Sequence, residues 1–240
     1  MRPGGDVVSV IIPVYNGERF LAEAIDSAFA QEYRPIEVIV VDDGSDDRSA
    51  EIARSYSDVR VLSQENTGPA AARNAGIDAS TGVLLAFHDA DDVMLPAKLT
   101  RQVDYMRRHP DVGCTLGAWD PFGDDVDRAF PEVPPPPDGP LDVTAPQALA
   151  HLRAGGFTAV IERNALDVVG LFDTTFEPAE DLEWLFRLRD SRVTAVILPY
   201  VVGRKRSHAS NISLDRAAAL DGWLKTLKVV AERKHAKNGR

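Results

Sequence analysis

Two runs in the first 43 residues, VVSVIIPVY and IEVIVVDD, are apolar almost from end to end and lack period-two alternation. A strand with one wet face alternates. A strand covered on both faces does not, and helices crossing over a parallel sheet supply that cover. Between the runs, within Glu18 to Gln31, Phe20, Leu21, Ala24, Ile25, Ala28 and Phe29 recur at helical spacing and give the connecting helix one face to lay on the sheet. With a further helix near Arg48 to Tyr56, the order is βαβα. The chain therefore reads as α/β, a Rossmann-like layer with a mostly parallel central sheet flanked by helices.

The texture continues through VRVL, a helix opened by Gly68 and Pro69, strand VLLAFHDAD, a helix begun at Pro96 and strand VGCTLGAW. Proline is harmless in a first helical turn, because the N–H it lacks has no partner there. Past Trp119 the chain turns to Asp120, Asp124, Asp125 and Asp127 and then to PEVPPPPDGP, a solvated excursion or a loop over a site. Regular structure is expected again from a helix near Pro146, a short FTAVIE strand, the segment Asp181 to Asp190, separate strands at TAVIL and YVVGRK, and a C-terminal helix.

Charge narrows the partners. With 27 basic against 37 acidic residues the formal charge is −10, so the molecule repels phosphate polymers at long range and nucleic acid is not expected. No apolar run reaches the roughly 18 to 20 residues of a transmembrane span, and Met1 to Asp6 lacks the apolar core of a signal peptide. The lone Cys114 cannot form an internal bridge and reads as a small buried strand residue. A cytoplasmic protein is the expectation. The tail from Lys225 to Arg240 is locally basic, with Lys225, Lys228, Arg233, Lys234, Lys237 and Arg240 against Glu232. It reads as a solvated helical face, with peripheral contact to a membrane or an anionic partner as the alternative.

Candidate chemistry gathers at strand ends. Asp89-Ala90-Asp91-Asp92 closes an apolar strand, where open α/β sheets bind ligands. Residues two apart in extended chain share a side, so Asp89 and Asp91 can face one hard cation such as Mg²⁺ or Mn²⁺; ordinary turn carboxylates are the alternative. One unit earlier, Asp42-Asp43-Gly44-Ser45 repeats the arrangement, with Ser45 as a possible cap of the next helix and Asp43 as a hydrogen-bond acceptor for a base or ribose. A metal would let these carboxylates coexist with an anionic substrate.

The strings VSVIIPVYN, VVDDGSDD, NTGPAAARNAGI, FHDADD and PAEDLEWLFRL, in this order, resemble the successive signatures of family 2 glycosyltransferases with the GT-A fold, over about residues 7 to 213. That resemblance implies a nucleotide-sugar donor, a UDP-sugar first among them, a divalent metal, a hydroxyl-bearing acceptor and inversion at the anomeric carbon. It implies one GT-A domain over 1–240: a nucleotide-sugar-binding half at about 7–119, an acidic and proline-rich loop at 120–145, an acceptor-side catalytic half at 146–213 and a basic helix at 214–240. By position it puts Pro13, Val14 and Tyr15 around the nucleoside, Asp43 on the base or ribose and Arg73 near the base. Asp91 becomes the direct metal ligand, with Asp89 on the sugar or ribose or in the metal shell and Asp92 a further candidate. Tyr15 packing alone, and Arg73 pairing with an acid of its own helix, are the structural alternatives.

Glu180-Asp181 matches the family's acidic pair ahead of a helix, which makes Asp181 the catalytic base. The alternative is a helix N-terminus, where acids are favoured anyway; basicity there needs burial or neighbouring acids such as Glu177 and Glu180. RSHASNIS resembles the later Arg-x-His element. His208 would complete the metal shell or touch the diphosphate, and Arg206 and Lys205 would offset the departing charge. His88 reads as a local variation. Trp119, Trp184 and Trp223 follow Ala, Glu and Gly, so the Gln-x-x-Arg-Trp element of processive synthases is missing and transfer of a single sugar is expected.

Three rival readings stand beside this one. Asp89 to Val93 also satisfies Asp-x-Asp-x-Val, the nucleophile string of haloacid-dehalogenase-like phosphatases, with Asp89 as nucleophile. IVVDDGS looks like the acidic pocket of a two-component receiver. A degenerate, non-catalytic nucleotide-sugar-binding module is the third.

Overall fold

The computed structural model describes residues 6–124, 126–130, 133–152, 156–176, 179–209, 211, 220–222, 224–230 and 232. Its elements in chain order are β1 (Val8–Val14), α1 (Leu21–Phe29), β2 (Ile36–Asp42), α2 (Ser49–Arg54), β3 (Val59–Ser63), α3 (Pro69–Ala79), β4 (Leu84–Phe87), β5 (Val93–Met94), α4 (Lys98–Arg108) and β6 (Val112–Gly123). There follow α5 (Val126–Ala129), β7 (Leu141–Asp142), α6 (Ala148–Leu152), a 3₁₀ turn (Gly156–Thr158), β8 (Val160–Glu162), α7 (Arg163–Val169), α8 (Glu180–Asp190) and β9 (Thr194–Ser207).

The strands form one mixed nine-stranded sheet in the order β3-β2-β1-β4-β8-β6-β9-β5, with β7 also paired to β9. The four N-terminal strands of this path are mutually parallel, and β6 runs parallel to β9. Every antiparallel pairing involves β8, β5 or β7.

The missing alternation in β1 has a direct cause. Val8, Val10, Ile12 and Val14 join Leu21, Ile25 and Ala28 of α1 in one apolar cluster. Ile11 points the other way, into a cluster with Ile77 of α3, Leu85 and Phe87 of β4, and Trp184, Leu185 and Leu188 of α8. Both faces of β1 are covered. Its polar residue is Ser9, fully buried, whose hydroxyl donates to Glu37 and accepts the Gly82 N–H.

Helix α3 lies close on β1. A Cβ added to Gly76 would stand 2.4 Å from Cγ2 of Ile11, a gap that real side chains do not tolerate in a packed core. Gly76→Ala is expected to destabilise the fold by about 1–3 kcal/mol, read as a lower urea midpoint at unchanged slope.

Three expectations are corrected. TAVIL and YVVGRK form one 14-residue strand, β9. Its register against β6 steps from Gly117↔Leu198 to Ala118↔Val201, leaving Pro199 and Tyr200 as a bulge. Proline has no N–H for the ladder, and here it is accommodated by bulging rather than by ending the strand. The strand expected to end near Trp119 runs on to Gly123. Ser45 does not cap the next helix: α2 begins at Ser49 without a side-chain cap, and the Ser45 hydroxyl accepts the Asn16 N–H instead (3.0 Å).

Cys114 is buried in β6. In the C-terminal segment, Val230 packs on Leu182 and Phe186 of α8, while the Lys225 ammonium donates to the Thr175 carbonyl and sits over Phe176. Arg233, Lys234, Lys237 and Arg240 of the basic tail lie outside the described residues, as does Glu177. No helix among the described residues is long and apolar enough to cross a membrane.

Candidate active site

Because β1, β2 and β4 are parallel, their C-terminal ends open on one edge of the sheet. From β1 the strand order runs to β2 and β3 on one side and to β4 on the other, which creates a crevice at the switch point. Pro13 and Val14 end β1 at this edge, and Tyr15, which follows them, is 53% exposed. The loop after β1 is sewn to the loop after β2: Asp46 N–H donates to Asn16 Oδ1, Gly17 N–H to Ser49 Oγ, Glu18 N–H to Asp47 Oδ2 and Arg48 N–H to Glu18 Oε2, all within 2.9 to 3.1 Å. Asn16 takes φ of 50°, a left-handed value asparagine tolerates. Sequence reasoning missed this lacing, although Asn and Asp in such loops are its usual signal.

Asp43 is buried at the end of β2 and holds the entry to α3. Oδ1 accepts Gln64 Nε2 (2.7 Å) and the Thr67 N–H (3.0 Å), and Oδ2 accepts the Gly68 N–H (2.8 Å). Gly68 sits at φ of 90°, which favours glycine. Asp43 thereby fixes the rim of the crevice, and any contact with a base or ribose would use lone pairs these bonds leave over.

One turn into α3, Arg73 reaches across the crevice floor. Its side chain is 8% exposed, and it pairs with neither an acid of its own helix nor open solvent. Nη1 donates to Glu180 Oε1 (2.5 Å) and Nη2 to Asp89 Oδ1 (2.9 Å). Burial alone would weaken the guanidinium's hold on its proton, but Glu180 and Asp89 outweigh it and raise the pKa. Lys205, from the end of β9, is a second, half-buried cation of the site, with Nζ 3.5 Å from Asp89 Oδ2 and 3.7 Å from Asp92 Oδ2. Burial pushes Asp89 upward, yet Lys205 and Arg73 together hold it down at about 2. Asp92 goes the other way: burial raises its pKa despite Lys205, and Asp91 and Asp89 add to the rise. Its Oδ1 accepts the Arg206 N–H (2.8 Å).

The pairing of β5 with β9, Val93↔Arg204 and Met94↔Gly203, draws the Asp89–Asp92 loop beside Lys205, Arg206 and His208. Arg206 lies over Phe20 and Phe122, pairs with Glu23 and donates from Nε to the Asp91 carbonyl (2.8 Å). His208 Nε2 is 2.9 Å from Asp91 Oδ2, and Asn211 Nδ2 lies 3.1 Å from that oxygen and 3.2 Å from the same ring nitrogen. Asn211, three residues after His208 in RSHASNIS, was not singled out from sequence. His88 is fully buried against Ser27 (3.2 Å), and burial lowers its pKa to about 4, as befits a packing residue.

A divalent ion fits this corner. Cis ligands about 2.1 Å from an octahedral ion stand about 3.0 Å apart, and Asp91 Oδ2 and His208 Nε2 meet that spacing. Among the described residues no three His, Cys, Asp or Glu side chains form a ready cage. A two-residue half-shell is what an ion uses when substrate phosphates supply further ligands.

Asp181 stands at the start of α8, half-buried beside Glu180 and Arg73. Burial, reinforced by the Glu180 charge, pushes its carboxyl up to about 6 against the pull of Arg73 and Lys205. Oδ1 lies 2.7 Å from the Leu182 N–H. The helix dipole therefore does not dominate, and the group is set near neutrality, where a base works well.

The geometry also weighs the rivals. Both oxygens of Asp89 face cations, Arg73 and Lys205, a poor setting for a phosphatase nucleophile. Lys205, near the end of β9, pairs with Asp89 and Asp92 and not with Asp42-Asp43, the acidic pair of the receiver reading.

The family model for glycosyl transferase family 2 matches residues 9–166. An uncharacterized glycosyltransferase of Rickettsia prowazekii is 33% identical over 209 residues, 85% of this chain and 65% of the relative. Its counterpart in Rickettsia typhi is 32% identical over 233 residues, 92% of this chain and 72% of the relative. The fold matches Staphylococcus aureus TarS residues 1–349 in complex with UDP-GlcNAc at TM-score 0.73, with 21% identity over 87% of this chain and 60% of that one. It also matches the mannosyltransferase PcManGT of Pyrobaculum calidifontis, in complex with GDP-Man and Mn²⁺, at TM-score 0.68, with 21% identity over 92% of this chain and 64% of that one. The chain thus spans about two thirds of the length of these proteins. The fold is GT-A, and with the family's match running from β1 into α7 and relatives above 30% identity along most of its length, the chain belongs to glycosyl transferase family 2.

Proposed function

We propose that this protein transfers a single sugar, with inversion, from a nucleotide-sugar donor, a UDP-sugar first among them, to an acceptor hydroxyl, and that the transfer depends on a divalent metal. The observation that carries the reading is the contact network itself: Arg73 ties Asp89 to Glu180, the neighbour of Asp181, while Lys205 ties Asp89 to Asp92 and His208 meets Asp91. Residues far apart in sequence thus form one polar surface at the sheet's ligand-binding edge. UDP, UDP-GlcNAc and GDP-Man in the structural neighbours support a nucleotide-sugar donor.

In this reading Pro13, Val14, Tyr15 and Asp43 line the nucleoside, the exposed Tyr15 ring offering a stacking face. Arg73 stays below, holding Asp89 toward the sugar. Asp91 and His208 would hold Mn²⁺ or Mg²⁺, which when bound neutralises phosphate charge. The acceptor oxygen attacks the anomeric carbon from the face opposite the diphosphate; the bond to the diphosphate breaks, its electron pair leaves with the nucleoside diphosphate, and the acceptor proton passes to Asp181. Lys205 and Arg206 offset the charge that grows on the leaving group, an interaction strongest in the transition state.

A thermal-shift panel of UDP- and GDP-sugars with and without Mn²⁺ tests the donor side. A donor held at 100 times its Kd stabilises the fold by about 2.7 kcal/mol. The wild type should show a Mn²⁺-dependent increment that Asp91→Asn abolishes. An increment of equal size in the variant would remove Asp91 from the metal site.

A further inference from the structure

The turn that precedes β8 touches both ends of the site through consecutive residues. Gly156 is buried and its φ lies outside the left-handed region, so glycine stands there for room and not for backbone freedom. The room belongs to Asp181: an added Cβ would lie 2.7 Å from Asp181 Cβ and 2.9 Å from Oδ2. With Oδ1 beside the Leu182 N–H and Oδ2 against Gly156, the carboxylate is confined from two sides.

The next side chain, Phe157, is 3% exposed and lies 5.0 Å from Lys205 Nζ through its ring. It also packs where a side chain on Gly203 would meet it at 2.9 Å. Thr158 then anchors the turn. Its carbonyl accepts Lys98 Nζ (2.7 Å) and Gln102 Nε2 (2.9 Å), two buried donors from α4, and Gln102 Nε2 also reaches the Thr115 carbonyl (3.0 Å). Lys98 is 1% exposed and also donates to Gln102 Oε1, an amide and not a carboxylate oxygen. An ammonium buried in this way is costly, burial lowers its pKa to about 7, and no step of sugar transfer uses it.

We propose that the Gly156–Thr158 turn, pinned to α4 by Lys98 and Gln102, is the positioning element of this active site: Gly156 sets the attitude of Asp181 and Phe157 that of Lys205. The base on the acceptor side and the cation on the donor side then share one rigid support three residues long, which fixes their separation. The inference rests on Asp181 acting as the base.

A double-mutant cycle tests it, with UDP-GlcNAc and GDP-mannose plus Mn²⁺ as the probes and nucleoside diphosphate release as the readout. Gly156→Ala is expected to lower kcat about 30-fold or more while the donor KM stays within about twofold, because a displacement of about 1 Å at a reacting group has that scale of effect. Added to Asp181→Asn, the same change should cost less than about threefold, since there is no base left to misplace. Equal losses in both backgrounds, or wild-type turnover by Gly156→Ala, would overturn the proposal while leaving the base assignment standing. Wild-type turnover by Asp181→Asn would instead overturn the base assignment. Should Gly156→Ala not fold, Lys98→Met serves: a kcat loss of about tenfold at unchanged KM supports the anchor, and unchanged kcat refutes it.

Discussion

Asp181→Asn should keep donor binding and lose transfer by about 10²–10⁴-fold, the usual contribution of a positioned general base. Asparagine preserves size and the one acceptor oxygen that the Leu182 N–H needs, but its other end becomes an NH₂ donor that cannot take the acceptor's proton. Because burial and Glu180 raise the Asp181 carboxyl to about 6, wild-type turnover should fall as pH drops through that value and level off above it; the variant's residual rate should lack this limb. The stability consequence has the opposite sense. A carboxyl whose folded pKa lies above its unfolded value favours folding at low pH, and that contribution is lost as pH rises through about 6. The variant should therefore melt no lower than wild type at pH 8, and above it if burial of the charge is strained. Full turnover with an unchanged pH profile would end the assignment.

Arg73→Met should be the most damaging single change to the fold. The guanidinium is the shared partner of Asp89 and Glu180, and its removal strands the Glu180 carboxylate and leaves Asp89 with Lys205 alone. Breaking a buried pair by deleting one member typically costs about 3–5 kcal/mol, a large part of a domain's stability. Arg73→Lys should rescue little, because one ammonium cannot match a fork that addresses two acids from separate nitrogens. Chemical denaturation of the three proteins checks both statements; a loss below about 1 kcal/mol for Arg73→Met would mean that solvent reaches the pair and screens it.

The sheet was legible because its causes are local. Val10, Ile11 and Ile12 are consecutive and all buried, and such a run has few outlets other than a strand dry on both faces. The strand-end aspartates were legible for a similar reason, since a parallel sheet must bring its C-terminal ends to one edge. What sequence could not supply was pairing at a distance. The partners of Arg73 lie 16 and 107 residues away, and no local pattern announces them; an acid on its own helix was the nearest expectation, and α3 offered a different answer. Gly156 carries no signal either, because its requirement is set by a side chain on another element. Pro199 misled in the usual direction: it reads as a strand end, and only the bulge against β6 lets β9 continue to Lys205 and Arg206.

The position of β8, wedged between β4 and β6 and running against both, means that the two sides of this enzyme are not separable modules. A fragment ending after Trp119 would leave the flank of β4 bare, a row of unsatisfied amides and carbonyls of the kind that recruits foreign strands. Shuffling donor and acceptor specificities between relatives by swapping halves would thus cut through a hydrogen-bonded seam, and loops at the open rim are the places where recombination leaves the scaffold whole.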